Sequence, residues 1–143
     1  MLVQDVLTLK GDTVWTVRPA QTLLEALDML THYQIGALLV LDSEQGIQGI
    51  LSERDILKQC HRHPQNWTEL KVHAVMTKIL HTLTRKDTIK EAMEMMTEKR
   101  IRHIPVVESG KLFGILSVGD MVKARLKDAE DENSFMRQYL EGA

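Results

Sequence analysis

The 143-residue chain contains one pattern of residues twice. Thr16-Val17, followed by Thr22-Leu23-Leu24-Glu25-Ala26-Leu27-Asp28-Met29-Leu30, returns 66 residues on as Thr82-Leu83 and Thr88-Ile89-Lys90-Glu91-Ala92-Met93-Glu94-Met95-Met96. Val40-Leu41-Asp42 returns as Val106-Val107-Glu108. After a turn one residue shorter, Gly49-Ile50-Leu51-Ser52-Glu53-Arg54-Asp55 returns as Gly114-Ile115-Leu116-Ser117-Val118-Gly119-Asp120. Lead-ins recur as well, with Val3-Gln4-Asp5-Val6-Leu7 resembling Val72-His73-Ala74-Val75-Met76. A self-similar chain is built from one supersecondary unit used repeatedly. Each copy, of about 50 residues, is too small to bury its apolar face alone, so the two are expected to pack on each other.

Periodicity changes along each copy in the same order. Leu23, Ala26, Leu27 and Leu30 recur at helical spacing behind Thr22, an N-cap with Glu25 three residues on; Ile89, Ala92, Met93 and Met96 do so behind Thr88 and Glu91. Two β-type runs follow, Ala37 to Leu41 and Ile47 to Leu51 in one copy, His103 to Val107 and Lys111 to Leu116 in the other. Ser52 and Ser117 then start a second helix. With Val14 to Val17 and Leu80 to Leu83 as leading strands, each copy reads β-α-β-β-α, an α+β class. The expected organisation is a lead-in at 1–12, a first repeat at 13–60, a linker and second lead-in at 61–77, a second repeat at 78–123 and a helical extension at 124–143. In that extension Phe135, Met136, Tyr139 and Leu140 form an apolar stripe that either folds back over the repeats or packs on a partner chain, the partner being the expectation.

Composition narrows the function classes. With 18 Lys and Arg against 20 Asp and Glu there is no basic surplus for a nucleic-acid backbone, and only 4% of residues are aromatic. The longest apolar run, Ala37 to Leu41, falls far short of the roughly 20 residues that span a bilayer. Nucleic acid and membrane are therefore not expected partners. A single cysteine, Cys60, and an N-terminus without a basic region ahead of an apolar segment lead to an expectation of the cytoplasm. Cys60-His61-Arg62-His63 offers metal-ligand types within four residues, poor geometry for a tetrahedral site, so no metal is expected. No catalytic constellation can be placed, and the expectation is a protein that is not an enzyme.

The string Gly-Ile-Leu-Ser-x-x-Asp carries the most chemistry. A strand running through Ser into a helix leaves backbone N–H groups and the positive end of the helix dipole at the turn, where a phosphate can sit. An aspartate three residues on has two acceptor oxygens that match the hydroxyls of a ribose. The same pattern is also a near match to a capping box, which needs no ligand. Gly49 and Gly114 would keep the backbone open beside the strand.

Together with Ile35-Gly36-Ala37-Leu38-Leu39-Val40 and Ile101-Arg102-His103-Ile104-Pro105-Val106-Val107, these strings make each half resemble a cystathionine-β-synthase (CBS) domain. The whole chain resembles a stand-alone CBS pair, the likeness covering residues 13 to 57 and 78 to 123. The resemblance implies two β-α-β-β-α repeats packed with pseudo-symmetry, and a regulatory module that binds AMP, ADP, ATP or NAD, less readily S-adenosylmethionine, in clefts between the repeats. Asp55 and Asp120 would hold ribose hydroxyls, with Ser52 and Ser117 at the phosphates. Thr16 and Thr82, with the backbone of Ala37, Leu38 and Leu39 and of His103, Ile104 and Pro105, would line the adenine pockets. Arg102 and His103 would bring positive charge to the second site and Arg54 to the first, so the sites are expected to be inequivalent, with that of Asp120 better formed. A homodimer and an effector protein are implied partners. The alternative is a structural dimerisation or protein-interaction module without a ligand.

Overall fold

A computed structural model describes residues 1–11, 13–44, 46–79 and 81–142. It resolves into two compact units, one spanning Thr13–Leu80 and the other combining Met1–Asp12 with His81–Ala143.

In the first unit, β1 (Thr16–Val17) is followed by α2 (Leu23–Tyr33), β2 (Ala37–Leu41), β3 (Ile47–Ser52) and α3 (Glu53–Arg62), α1 being the helix Val3–Lys10 that belongs to the other unit. The sheet runs β1-β2-β3, with β1 parallel and β3 antiparallel to β2. Thr22 caps α2 by accepting from Glu25 N at 3.2 Å. The helix ends at Gln34, in the left-handed region at φ 53°, where Ile35 N donates back to Leu30 O. A non-glycine residue there is uncommon, and the second unit repeats it with Arg100 at φ 54° and Ile101 N donating to Met96 O. The polar stretch after α3 continues into a 3-10 turn at Trp67–Glu69 and the short helix α4 (Val72–Val75).

In the second unit, α5 (Ile89–Lys99), β4 (His103–Glu108) and β5 (Lys111–Ser117) lead into α6 (Val118–Glu141), a single uninterrupted helix of 24 residues. The cores correspond residue for residue. Val17, Leu23, Ala26, Leu38, Leu51 and Ile56 in the first unit take the places of Leu83, Ile89, Ala92, Ile104, Leu116 and Met121 in the second. Even the bulge recurs, between Val40 and Leu41 and between Val106 and Val107.

The leading strand of the second repeat departs from expectation. Leu80 lies outside the described residues, and the remainder contracts to one parallel bridge, Leu83 to Val106. Pro105 supplies the reason. In the first unit Leu39 N donates to Trp15 O at 3.4 Å and helps to hold β1 against β2. Pro105 stands where Leu39 stands in the repeat and has no N–H to donate, so the rung that would engage the backbone at His81 cannot form.

Each lead-in is tied to its own unit. Val3 N donates to Asp87 O and Ile89 N to Met1 O; Val72 N donates to Gln21 O and Leu23 N to Leu70 O. Val3 and Val72 are both fully buried. These segments also explain Gly49 and Gly114. A Cβ on Gly49 would lie 2.7 Å from Thr77 O and 2.9 Å from Met76 Sδ, and one on Gly114 would lie 2.6 Å from a methyl of Leu7. The glycines admit the lead-ins, a packing role in the protein's own fold.

Candidate functional site at the two strand-to-helix turns

Ser52 ends β3 and Ser117 ends β5, both in extended backbone at φ −109° and ψ 164°, and each is the N-cap of the helix that follows. At the first turn Asp55 N donates to Ser52 Oγ at 3.3 Å, and Ser52 N donates to Asp55 Oδ2 at 2.9 Å. The second turn repeats this at 3.1 and 2.9 Å. Both are complete capping boxes, each cap being satisfied by the chain's own groups.

The loop before each β-hairpin closes over the same helix end. Glu53 N donates to Gly36 O and Val118 N to Arg102 O, both at 3.0 Å. Ala37 stands in register opposite Ser52, and His103 opposite Ser117. The structure thus brings Ala37, Ser52, Arg54 and Asp55 to one end of the first sheet, and Arg102, His103, Ser117 and Asp120 to the matching end of the second. Arg54 and Arg102 are exposed, whereas the serines, aspartates and His103 are half-buried. Leu38 and Ile104 point into their own cores, and Leu39 and Pro105 are also buried, which leaves backbone groups as what these positions can present. Thr16 is paired with Leu39 and lines a surface depression with Arg18, Gln21 and Met29. Thr82 is exposed one residue before the bridge at Leu83.

The two aspartates differ in one partner that sequence reasoning missed. Lys10, the last residue of α1, donates to Asp120 Oδ2 at 2.8 Å and to Ile115 O at 2.6 Å. Burial pushes the Asp120 carboxyl up, but the Lys10 ammonium and the Ser117 N–H outweigh it and hold the group below its ordinary value. Aligning the lead-ins places Ile79 where Lys10 stands, so the turn at Asp55 has no counterpart of this lysine. That alignment was the signal available in the sequence. Nearby charge also differs, because the residue before the aspartate is Arg54 in one turn and Gly119 in the other.

Cys60 is partly buried against the first core and lines a surface depression with Trp67. Among the described residues no group of three or more His, Cys, Asp or Glu side chains is placed to hold a metal ion, and no helix is long and apolar enough to cross a membrane.

Comparison with known proteins identifies the repeated unit. Residues 3–62 and 72–127 each match the CBS domain, lead-ins included. The chain is 31% identical over 149 residues to the mitochondrial CBS domain-containing protein CBSX3 of Arabidopsis thaliana, covering 98% of this chain and 72% of that protein. It is 31% identical over 120 residues to the CBS domain-containing protein YhcV of Bacillus subtilis, covering 83% of this chain and 81% of that one. The crystal structure of a CBS-domain containing protein from Agrobacterium tumefaciens superposes with a TM-score of 0.84 at 40% identity, over 87% of this chain and 92% of that one. With two matched repeats that take in most of the chain, and a fold shared at this level, the protein belongs to the CBS domain family as a small CBS-pair protein.

Proposed function

We propose that this protein is a non-enzymatic regulatory module that binds an adenosine-containing nucleotide, AMP, ADP, ATP or NAD, at the strand-to-helix turns of its repeats. Binding would alter packing that an effector protein in the cytoplasm reads. The observation that carries this reading is the repetition of one turn. A serine N-cap, an aspartate one helical turn in and an opposing backbone in fixed register occur twice with the same hydrogen bonds.

The groups left over by the chain's own hydrogen bonds support one mode of binding. The N–H groups of Glu53, Asp55, Val118 and Asp120 are engaged within the chain, which points a phosphate to the intervening amides of Arg54 and Gly119. The capping bonds of both aspartates, and the Lys10 contact, fall on Oδ2, so Oδ1 is the atom that would face a ribose hydroxyl. A conformational readout requires the ligand to bind two arrangements with different affinity.

Isothermal titration calorimetry with AMP, ATP, NAD and S-adenosylmethionine tests the proposal, using wild type, Asp55→Ala and Asp120→Ala. Binding by wild type that weakens in either variant supports it; absence of binding, or binding unaltered in both variants, overturns it. The ligand-free alternative rests on the complete capping boxes. It expects a melting temperature indifferent to nucleotide, whereas a ligand at 100 times its dissociation constant adds about 2.7 kcal/mol.

A further inference from the structure

The second half of α6 leaves its own repeat. Met121 and Ala124 are the last residues of the helix in the core, and every described residue from Arg125 onward is exposed. Most helical stability in proteins comes from packing of an apolar face, and this segment displays large apolar side chains with no such packing inside its own repeat. Those side chains follow a pattern that the stripe at Phe135 to Leu140 alone does not reveal. Val122, Leu126, Ala129, Asn133, Met136 and Leu140 are spaced alternately four and three residues apart, the seam of a coiled coil. Val122, Leu126, Met136 and Leu140 are 49%, 59%, 53% and 70% exposed. The seam turns away from the face that carries Met121 and Ala124.

We infer that α6 pairs with α6 of a second copy of this chain as a parallel, in-register, two-stranded coiled coil. Charge chooses the partner and the direction. With Leu126, Asn133 and Leu140 at the first core position of the heptad, Arg125 and Glu132 flank the seam on one side and Glu130 and Arg137 on the other. In a parallel pair each residue on the Arg125 side faces the residue five further along on the other helix. Arg125 then meets Glu130 of the partner, and Glu132 meets Arg137 of the partner. Two-fold symmetry doubles each pair. An antiparallel pair with the same layers would set Lys123 against Arg137, Glu130 against Glu130 and Glu132 against Glu132, like charge on like. Asn133 would face its own copy across the parallel seam, the arrangement by which a single core asparagine fixes register and two-stranded assembly. Arg125 also borders α5 beside Glu94 and Glu98, so Glu132 and Arg137 give the cleaner test. This inference stands apart from nucleotide binding.

The test uses the full chain in analytical ultracentrifugation, with circular dichroism to verify folding. Wild type is expected to be a dimer. Leu126→Asp, at an exposed position, should raise the dimer dissociation constant roughly a hundredfold by removing two seam leucines per dimer. Arg137→Glu should weaken the dimer, and adding Glu132→Arg should restore it. In a Cys60→Ser background, Asn133→Cys should form a disulfide-linked dimer on mild oxidation, since a parallel seam brings position 133 beside itself. A monomeric wild type overturns the inference, as does a dimer indifferent to Leu126→Asp. A dimer strengthened by Arg137→Glu, or Asn133→Cys that fails to cross-link, shows the helices are not paired in parallel and overturns it as well.

Discussion

The turns at Ser52 and Ser117 share backbone angles, caps and register, yet they sit in different electrostatic settings. The aspartate of the second is gripped by Lys10, 110 positions away in the chain, while the first has Ile79 at that place and Arg54 beside it. Duplicated backbone therefore does not imply duplicated chemistry. What a lead-in contributes at its far end decides whether the aspartate is already engaged before any ligand arrives.

The comparison is broken most severely at the glycines. Gly49→Ala drives a methyl against the Thr77 carbonyl, which is backbone paired with Ile50 and cannot swing away, and should cost about 2 to 3 kcal/mol. Gly114→Ala meets only a Leu7 methyl and should cost about 1 kcal/mol, and in a Leu7→Ala background the same change should cost almost nothing further. Urea unfolding of the variants checks both; equal costs would mean that the lead-ins pack alike.

A smaller effect separates the aspartates. Asp55→Ala removes one hydrogen bond of a capping box, about 1 kcal/mol, whereas Asp120→Ala also removes the Lys10 contact and should cost about 2 kcal/mol. Because the Asp120 carboxyl is held below its ordinary value, its contribution is complete above the unfolded value of about 4. It is lost as pH falls through the folded value. Lys10→Met should flatten that part of the stability curve below about pH 4, measured by thermal melts across acid pH. An unchanged curve would remove Lys10 from the account.

The smallest effect concerns the leading strands. Pro105→Leu, which copies the residue at position 39, supplies the missing donor. Its amide should become protected from hydrogen exchange while stability changes by less than about 0.5 kcal/mol, the new hydrogen bond being offset by a less restricted unfolded chain. A freely exchanging amide would place the cause of the shortened strand elsewhere.

Much of this was legible because local rules dominate within each repeat. Thr22 and Thr88 read as N-caps and act as such, and both Ser-x-x-Asp strings start helices in the way their spacing suggests. Pro105 was visible too, but its consequence depends on knowing that β4 has a neighbour on each side. The Lys10 contact was not legible in any local window, since it arises only when α1 joins residues that follow it by more than a hundred positions. Gly49 and Gly114 were read as open backbone; they are close-packed against the lead-ins, a distinction that needs the third dimension. The seam of α6 was partly hidden by Phe135 and Tyr139, which draw the eye to a stripe slightly off the heptad.

The splitting of one unit around the other has a consequence during synthesis. Val3 and Val6 are made well before their neighbours Leu83, Ile89 and Met121, which follow them only after the whole of the other unit. The core of residues 13–80 is drawn from one continuous stretch, so those contacts need no residue made outside it. At roughly 5 to 20 residues per second, the N-terminal segment waits several seconds for its place. Throughout that interval it is a short apolar strand of chain with nothing to cover it, and a chaperone has a defined target and a defined moment to hold it.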